Sequence, residues 1–167
     1  MAAGQQSMTQ LKPLIVSSNG VPAYSMMGLG EARLLMIGEE TGGRWWLGHF
    51  REDPGFVTPL HLHPQTDEQF YVLDGTLSLY VDGAWQDVTA GTLVIVPRML
   101  PHAQGNFGDS SVTFLGSGNP AGFEQYFPAI DAMAKRGLTF RDPEFHKEMA
   151  TLGPRCDIQL LGPTPGR

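Results

Sequence analysis

The sequence predicts an all-β barrel with a short C-terminal helical appendage, and three observations carry that reading. Short apolar runs, one of them (Thr92 to Val96) β-branched, are separated by Gly- and Pro-containing turns. Gly (21 residues) and Pro (13) are frequent and spread along the chain, which suits many short strands better than long helices. Near Pro120 the apolar spacing changes from two to three and four, the change from strand to helix periodicity. At 167 residues the chain is long enough for one domain with a sizeable core.

Taken in order, residues 1–10 are small and polar and read as a flexible tail, with Met8 as an alternative start. The barrel spans 11–118. Leu34 to Ile37 is an apolar run ending at Gly38; Gly42-Gly43 is a turn; Arg44 to Phe50 is the next strand. Glu68 to Leu73 stops at Asp74-Gly75. Thr76 to Val81 alternates Leu77, Leu79 and Val81 with Ser78 and Tyr80, and Asp82-Gly83 is a hairpin turn. Thr92 to Val96 ends at Pro97, and Val112 to Leu115 closes the set. Residues 119–161 form the helical appendage. Phe123, Tyr126, Phe127, Ile130 and Met133 make one amphipathic helix, with Pro128 at its start or at a kink and Gly137 as its stop. Asp142-Pro143 starts a second helix, which ends at Gly153-Pro154. Asp157 to Leu161 reads as a last short strand, and 162–167 as a flexible, disordered tail.

Composition excludes several function classes. The net charge is −6 and no basic cluster is present, which argues against a nucleic-acid partner. No apolar run approaches the ~20 residues of a membrane span. Cys156 is the sole cysteine, so no intramolecular disulfide can form. With no apolar signal core in Met1 to Gln10, a reducing, cytoplasmic location is expected. There is no P-loop, dinucleotide fingerprint or Ser-centred elbow.

The chemistry lies in three histidines and one glutamate. His61 and His63 are two apart, so an extended segment aims both at one face, and Pro59 and Pro64 disfavour a helix there. Glu68 opens the following strand, and His102 follows Pro101 on a separate segment. Three imidazoles and a carboxylate suit one divalent transition metal (Fe, Ni, Mn, Co, Cu or Zn) with coordination positions left open. Phe70 and Val72 share Glu68's face by parity and are candidate pocket walls. Gln104 shares His102's parity and is a candidate neighbour of the site. His49 either lines the pocket as a proton shuttle or packs with Trp45 and Leu47 on the other face.

These residues resemble the cupin superfamily. Gly55, His61, His63, Glu68 and Gly75 match its first motif; Gly91, Pro97, His102 and Asn106 match its second, with Met99 in place of the middle glycine. The resemblance implies a jelly-roll barrel with His61, His63, Glu68 and His102 as metal ligands, and a homodimer built through sheet edges and swapped N-terminal strands. Glu40 to Arg44, Asp67 to Gly75, Pro120 to Glu124 and Asp157 to Pro163 are similar to single-domain proteins resembling quercetin 2,3-dioxygenase. That likeness implies a quercetinase-like dioxygenase that takes O2 and a small aromatic or enolisable substrate, with Glu68 as catalytic base. The same ligand set also serves non-redox isomerase, cyclase, decarboxylase or lyase chemistry. A small-molecule-binding protein without turnover is the third alternative.

Overall fold

A computed structural model describes residues 12–167. The flexible tail expected over 1–10, and the alternative start at Met8, lie outside the described residues. Eleven strands and three α-helices follow in order: β1 (Tyr24–Ser25), β2 (Gly30–Met36), α1 (Gly38–Thr41), β3 (Trp46–Glu52), β4 (Leu60–Leu62), β5 (Asp67–Asp74), β6 (Thr76–Val81), β7 (Ala84–Thr89), β8 (Leu93–Val96), β9 (Ala103–Gly105), β10 (Val112–Asn119), α2 (Tyr126–Lys135), α3 (Pro143–Leu152) and β11 (Gln159–Gly162).

All pairings are antiparallel. One wall is a six-stranded sheet in the order β1-β2-β3-β10-β5-β8. The facing wall joins β7-β6-β9 to β4-β11 through isolated bridges, Val57 to Gly105 and His61 to His102. Two such antiparallel walls around one interior form the jelly-roll architecture. Alternation sets what faces inward: along β3, Trp46, Gly48, Phe50 and Glu52 are buried, while Leu47, His49 and Arg51 are not. Gly48 and Gly116 stand opposite each other in β3 and β10, and a Cβ on either would strike the Phe50 ring at 2.6 or 2.7 Å. Their missing side chains leave the space in which Phe50 stacks on Phe114, with centroids 5.1 Å apart.

The β6–β7 hairpin turns at Asp82 and Gly83, both with positive φ (53° and 79°), as the primed hairpin turn requires. The amphipathic helix begins as a 3-10 turn at Phe123–Gln125 and continues as α2, with Pro128 in its first turn. Gly137 (φ 83°) stops it. Asp142 precedes Pro143 at the start of α3, but its carboxylate turns back to accept from the Thr139 backbone N–H and hydroxyl.

The apolar face of α2 plugs the open end of the barrel, and the helix also meets the edge strand β1, where Ser25 N–H donates to the Asp131 carboxylate (2.9 Å). Phe127 packs against Phe50 (5.1 Å) and Phe123 against Trp46 (5.6 Å). Glu124 anchors the turn before α2 by accepting from Gly38 N–H (2.9 Å). Composition predicts a disordered tail over 162–167, yet Thr164 donates to the Thr58 carbonyl and Arg167 pairs with Asp87 at 2.6 Å. That segment therefore lies along the outside of the second wall. Among the described residues no helix is long and apolar enough to cross a membrane.

Candidate metal centre

The expected ligands converge. His61, His63, Glu68 and His102 are all buried, and one ligand atom from each lies within 4.8 Å of the others. Backbone pairing produces this. His61 N–H donates to the His102 carbonyl (3.0 Å) and His102 N–H to the His61 carbonyl (2.8 Å), so the two strands carrying these ligands are locked in register. Glu68 comes from the opposite wall, on the inward face of β5.

Each imidazole is fixed from behind. Nδ1 of His61 bonds the Pro59 carbonyl (2.9 Å), that of His102 the Leu100 carbonyl (2.9 Å), and that of His63 the Asp157 carbonyl (2.7 Å). A carbonyl only accepts, so each Nδ1 carries the proton and each Nε2 is left free to ligate. His63 Nε2 is buried with no hydrogen-bond partner, an orphan that a metal ion would satisfy. His102 Nε2 stands 3.0 Å and His63 Nε2 3.3 Å from the same oxygen, Glu68 Oε2. Two lone pairs aimed at a carboxylate oxygen repel unless a cation, either a proton or a metal ion, lies among them. On these grounds the residues fit a divalent metal.

Electrostatics agree with that. Burial alone would raise Glu68, but the His63 charge and the close approach of His102 Nε2 hold its carboxyl well below the usual range. His61 is pushed well below an ordinary imidazole, first by burial and then by the charges of His102 and His63. His63 goes up: burial opposes this, but the charge of Glu68 and the hydrogen bond to the Asp157 carbonyl outweigh it.

Of the pocket candidates, Phe70 and Gln104 line an internal cavity of about 30 Å³ that also touches His61 and Glu68. Val72 is fully buried core and does not line it. His49 does not line the cavity either. It sits on the outward face of β3 beside Arg33 and Leu115, because its parity follows Leu47 rather than Trp46. Met99, in the place of the second motif's middle glycine, keeps a glycine-like φ of 67° and donates its N–H to the His63 carbonyl (2.8 Å).

Sequence reasoning missed three contributors. Asp157 not only holds His63; its carboxylate also accepts from Gln65 and Thr66 N–H, binding the loop between the ligands to the C-terminal segment. Phe123 packs its ring against His63 at 4.4 Å. Glu52 is fully buried on β3, and no hydrogen bond of normal geometry reaches either carboxyl oxygen. Inward parity with Trp46 and Phe50 was the available signal for Glu52.

Residues 48–116 match the family model described as a cupin domain. Germin-like protein 5-1 of Oryza sativa subsp. japonica is 34% identical over 86 residues, covering 48% of this chain and 37% of that protein. The chain thus spans little more than a third of the length of that relative. Among solved structures, the polyketide cyclase RemF of Streptomyces resistomycificus superposes with a TM-score of 0.58 at 24% identity, over 65% of this chain and 80% of that one. An RmlC-like cupin of Shewanella frigidimarina gives 0.57 at 18% identity, over 66% and 93%. These structural likenesses are likenesses of fold.

Proposed function

We propose that this chain, which carries a cupin domain and a cupin fold, is a metal-dependent enzyme acting on a small aromatic or enolisable substrate, and that it is a dioxygenase. The observation that carries the reading is the pairing of four buried ligand atoms with an adjoining cavity of about 30 Å³ walled mainly by aromatic side chains. That volume has room for one water-sized molecule, and dioxygen is of that size and apolar. His61, His63, Glu68 and His102 would hold the metal. When bound, it would lower the pKa of an enol or phenol oxygen and supply electron-transfer capacity toward O2.

The chain's own residues do the rest. Glu68 is ionised and takes the enol proton onto a carboxylate oxygen, leaving the substrate as its anion, and returns the proton to product. The three backbone-fixed imidazoles keep their Nε2 atoms aimed without further reorganisation. Phe50, Phe70, Phe114 and Phe127 exclude water from the cavity. Non-redox isomerase, cyclase, decarboxylase or lyase chemistry is the second reading, since Glu68 can move a proton at a carbonyl substrate without O2. A homodimer is part of the proposal. It is supported by the exposed outer face of the six-stranded sheet, where Tyr71 and Leu93 adjoin in register with Ile95 two residues on.

Elemental analysis of the purified protein, paired with oxygen uptake against flavonols and diketones, tests the reading. About one redox-capable metal per chain with substrate-dependent oxygen consumption is expected. Bound metal with turnover but no oxygen uptake would move the assignment to the non-redox chemistry. No metal after reconstitution would overturn the enzyme proposal.

A further inference from the structure

The inner cavity is too small for the ring system of an aromatic substrate, so the bulk of such a substrate needs another place. One lies directly outside. A cleft of about 900 Å³ shares Phe56, Pro59 and Phe140 with the inner cavity as common walls. The Phe56 and Phe140 rings meet edge to face at 5.7 Å between the two spaces.

The chemistry of the cleft is one-sided. Its walls are largely apolar, with Met27, Phe107 and Phe140 among them, and neither Asp nor Glu lines it. Arg141 is the only residue there with a fixed charge, in a chain with 17 acidic and 11 basic residues. Among the described residues the Arg141 guanidinium has no ion pair or hydrogen bond; only its backbone N–H is engaged, by Thr139. The adjacent Asp142 carboxylate is taken up by Thr139. An unpaired guanidinium lining a largely apolar cleft fits a carboxylate on an apolar ring.

We propose that this cleft is the outer part of the active site and holds an aromatic carboxylate, its ring against Phe56 and Phe140 and its carboxylate on Arg141, the Phe107 ring being already covered by the Arg167 guanidinium at 4.7 Å. The inference deepens the proposed function and rests on it for the reactive end of the molecule, not for the binding itself.

Calorimetric titration of the full chain, stripped of metal, with 1-hydroxy-2-naphthoate and with 1-naphthol tests it. The two probes differ by the carboxylate alone. The carboxylate should bind about tenfold more tightly, as a hydrogen bond to a charged group supports. Arg141→Gln should remove that advantage and leave 1-naphthol unchanged, while Arg141→Lys should keep part of it. Added salt should shrink it. Equal binding of the carboxylate to wild type and Arg141→Gln, or no binding of either probe, would overturn the proposal. Because no metal is present, its failure is separable: a chain that loads metal but ignores Arg141 loses only the cleft, and one that binds through Arg141 but never loads metal loses only the enzyme reading.

Discussion

Two glutamates are buried on the inward face of one sheet, on the strands that flank β10, and meet opposite fates. Glu68, on β5, has two imidazole nitrogens within 3.3 Å of one carboxylate oxygen and is held ionised. Glu52, on β3, has no hydrogen-bonded partner at either oxygen. Burial pushes it well up, the nearby Gln104 amide offsets part of that, and the charge of Glu68 adds to it. Residue type and burial are the same, so neighbours alone decide which carboxyl carries charge. Environments that drive two carboxyls apart in this way divide an interior into an anionic pole and a neutral one.

The comparison breaks most severely if the imidazoles are removed. His61→Ala or His102→Ala is expected to reduce bound metal from about one equivalent to none, measured by elemental analysis after dialysis. Metal uptake by the wild type should release protons, because the cation among the Nε2 atoms and Glu68 is exchanged for the metal. Full loading of either variant would refute the ligand assignment. Glu68→Gln comes next. It keeps three imidazoles and is expected to retain metal, while turnover falls about a hundred- to ten-thousand-fold, the usual worth of a positioned base. Unchanged turnover would remove Glu68 from the role of base.

The two poles were not equally legible in the sequence. His61 and His63 were readable because period-two alternation between Pro59 and Pro64 leaves few other arrangements, and Glu68 follows at a short, fixed interval. Glu52 was not. The strand was read to Phe50, and a charged residue beyond an apolar alternation reads as the strand's solvent-exposed end. His49 was ambiguous for a related reason: Trp45 and Trp46 offer both parities, and only pairing with β2 and β10 shows that Trp46 turns inward. Asp157 reaches His63 across 94 residues, a distance over which local pattern carries no information. The apolar face of α2 was plain in the spacing, but what that face covers depends on tertiary packing, as does the docking of 162–167.

Glu52→Gln sharpens the contrast by keeping the shape and deleting the proton. The folded-state pKa of Glu52 lies above its ordinary 4.5. Its favourable contribution is therefore complete below that value and is lost as pH rises toward the folded pKa. Wild type and Glu52→Gln should melt alike near pH 4. At pH 8 the variant should be the more stable, because the wild type must then either bury a charge or hold a proton against the solution pH. Thermal melts across this interval check it, and parallel curves for the two proteins would mean that Glu52 finds a charge partner.

The smallest effect belongs to a third carboxylate, which tests whether a shifted pKa by itself signals importance. Asp67 precedes Glu68 but faces solvent, where Arg98 grips it with two side-chain bonds (2.9 and 2.7 Å) and a backbone N–H and holds it at about 2. An exposed pair of this kind is screened by water and salt, so a large shift can accompany little stabilisation. Arg98→Gln should therefore change the melting temperature less than Glu52→Gln does at pH 8, and should leave metal content unchanged. Arg98 nonetheless sits between Pro97 and Met99, in the turn that delivers His102. A drop in metal content with an unchanged melting temperature would show that the pair positions this turn for His102, and that surface charge reaches the buried pole through the backbone.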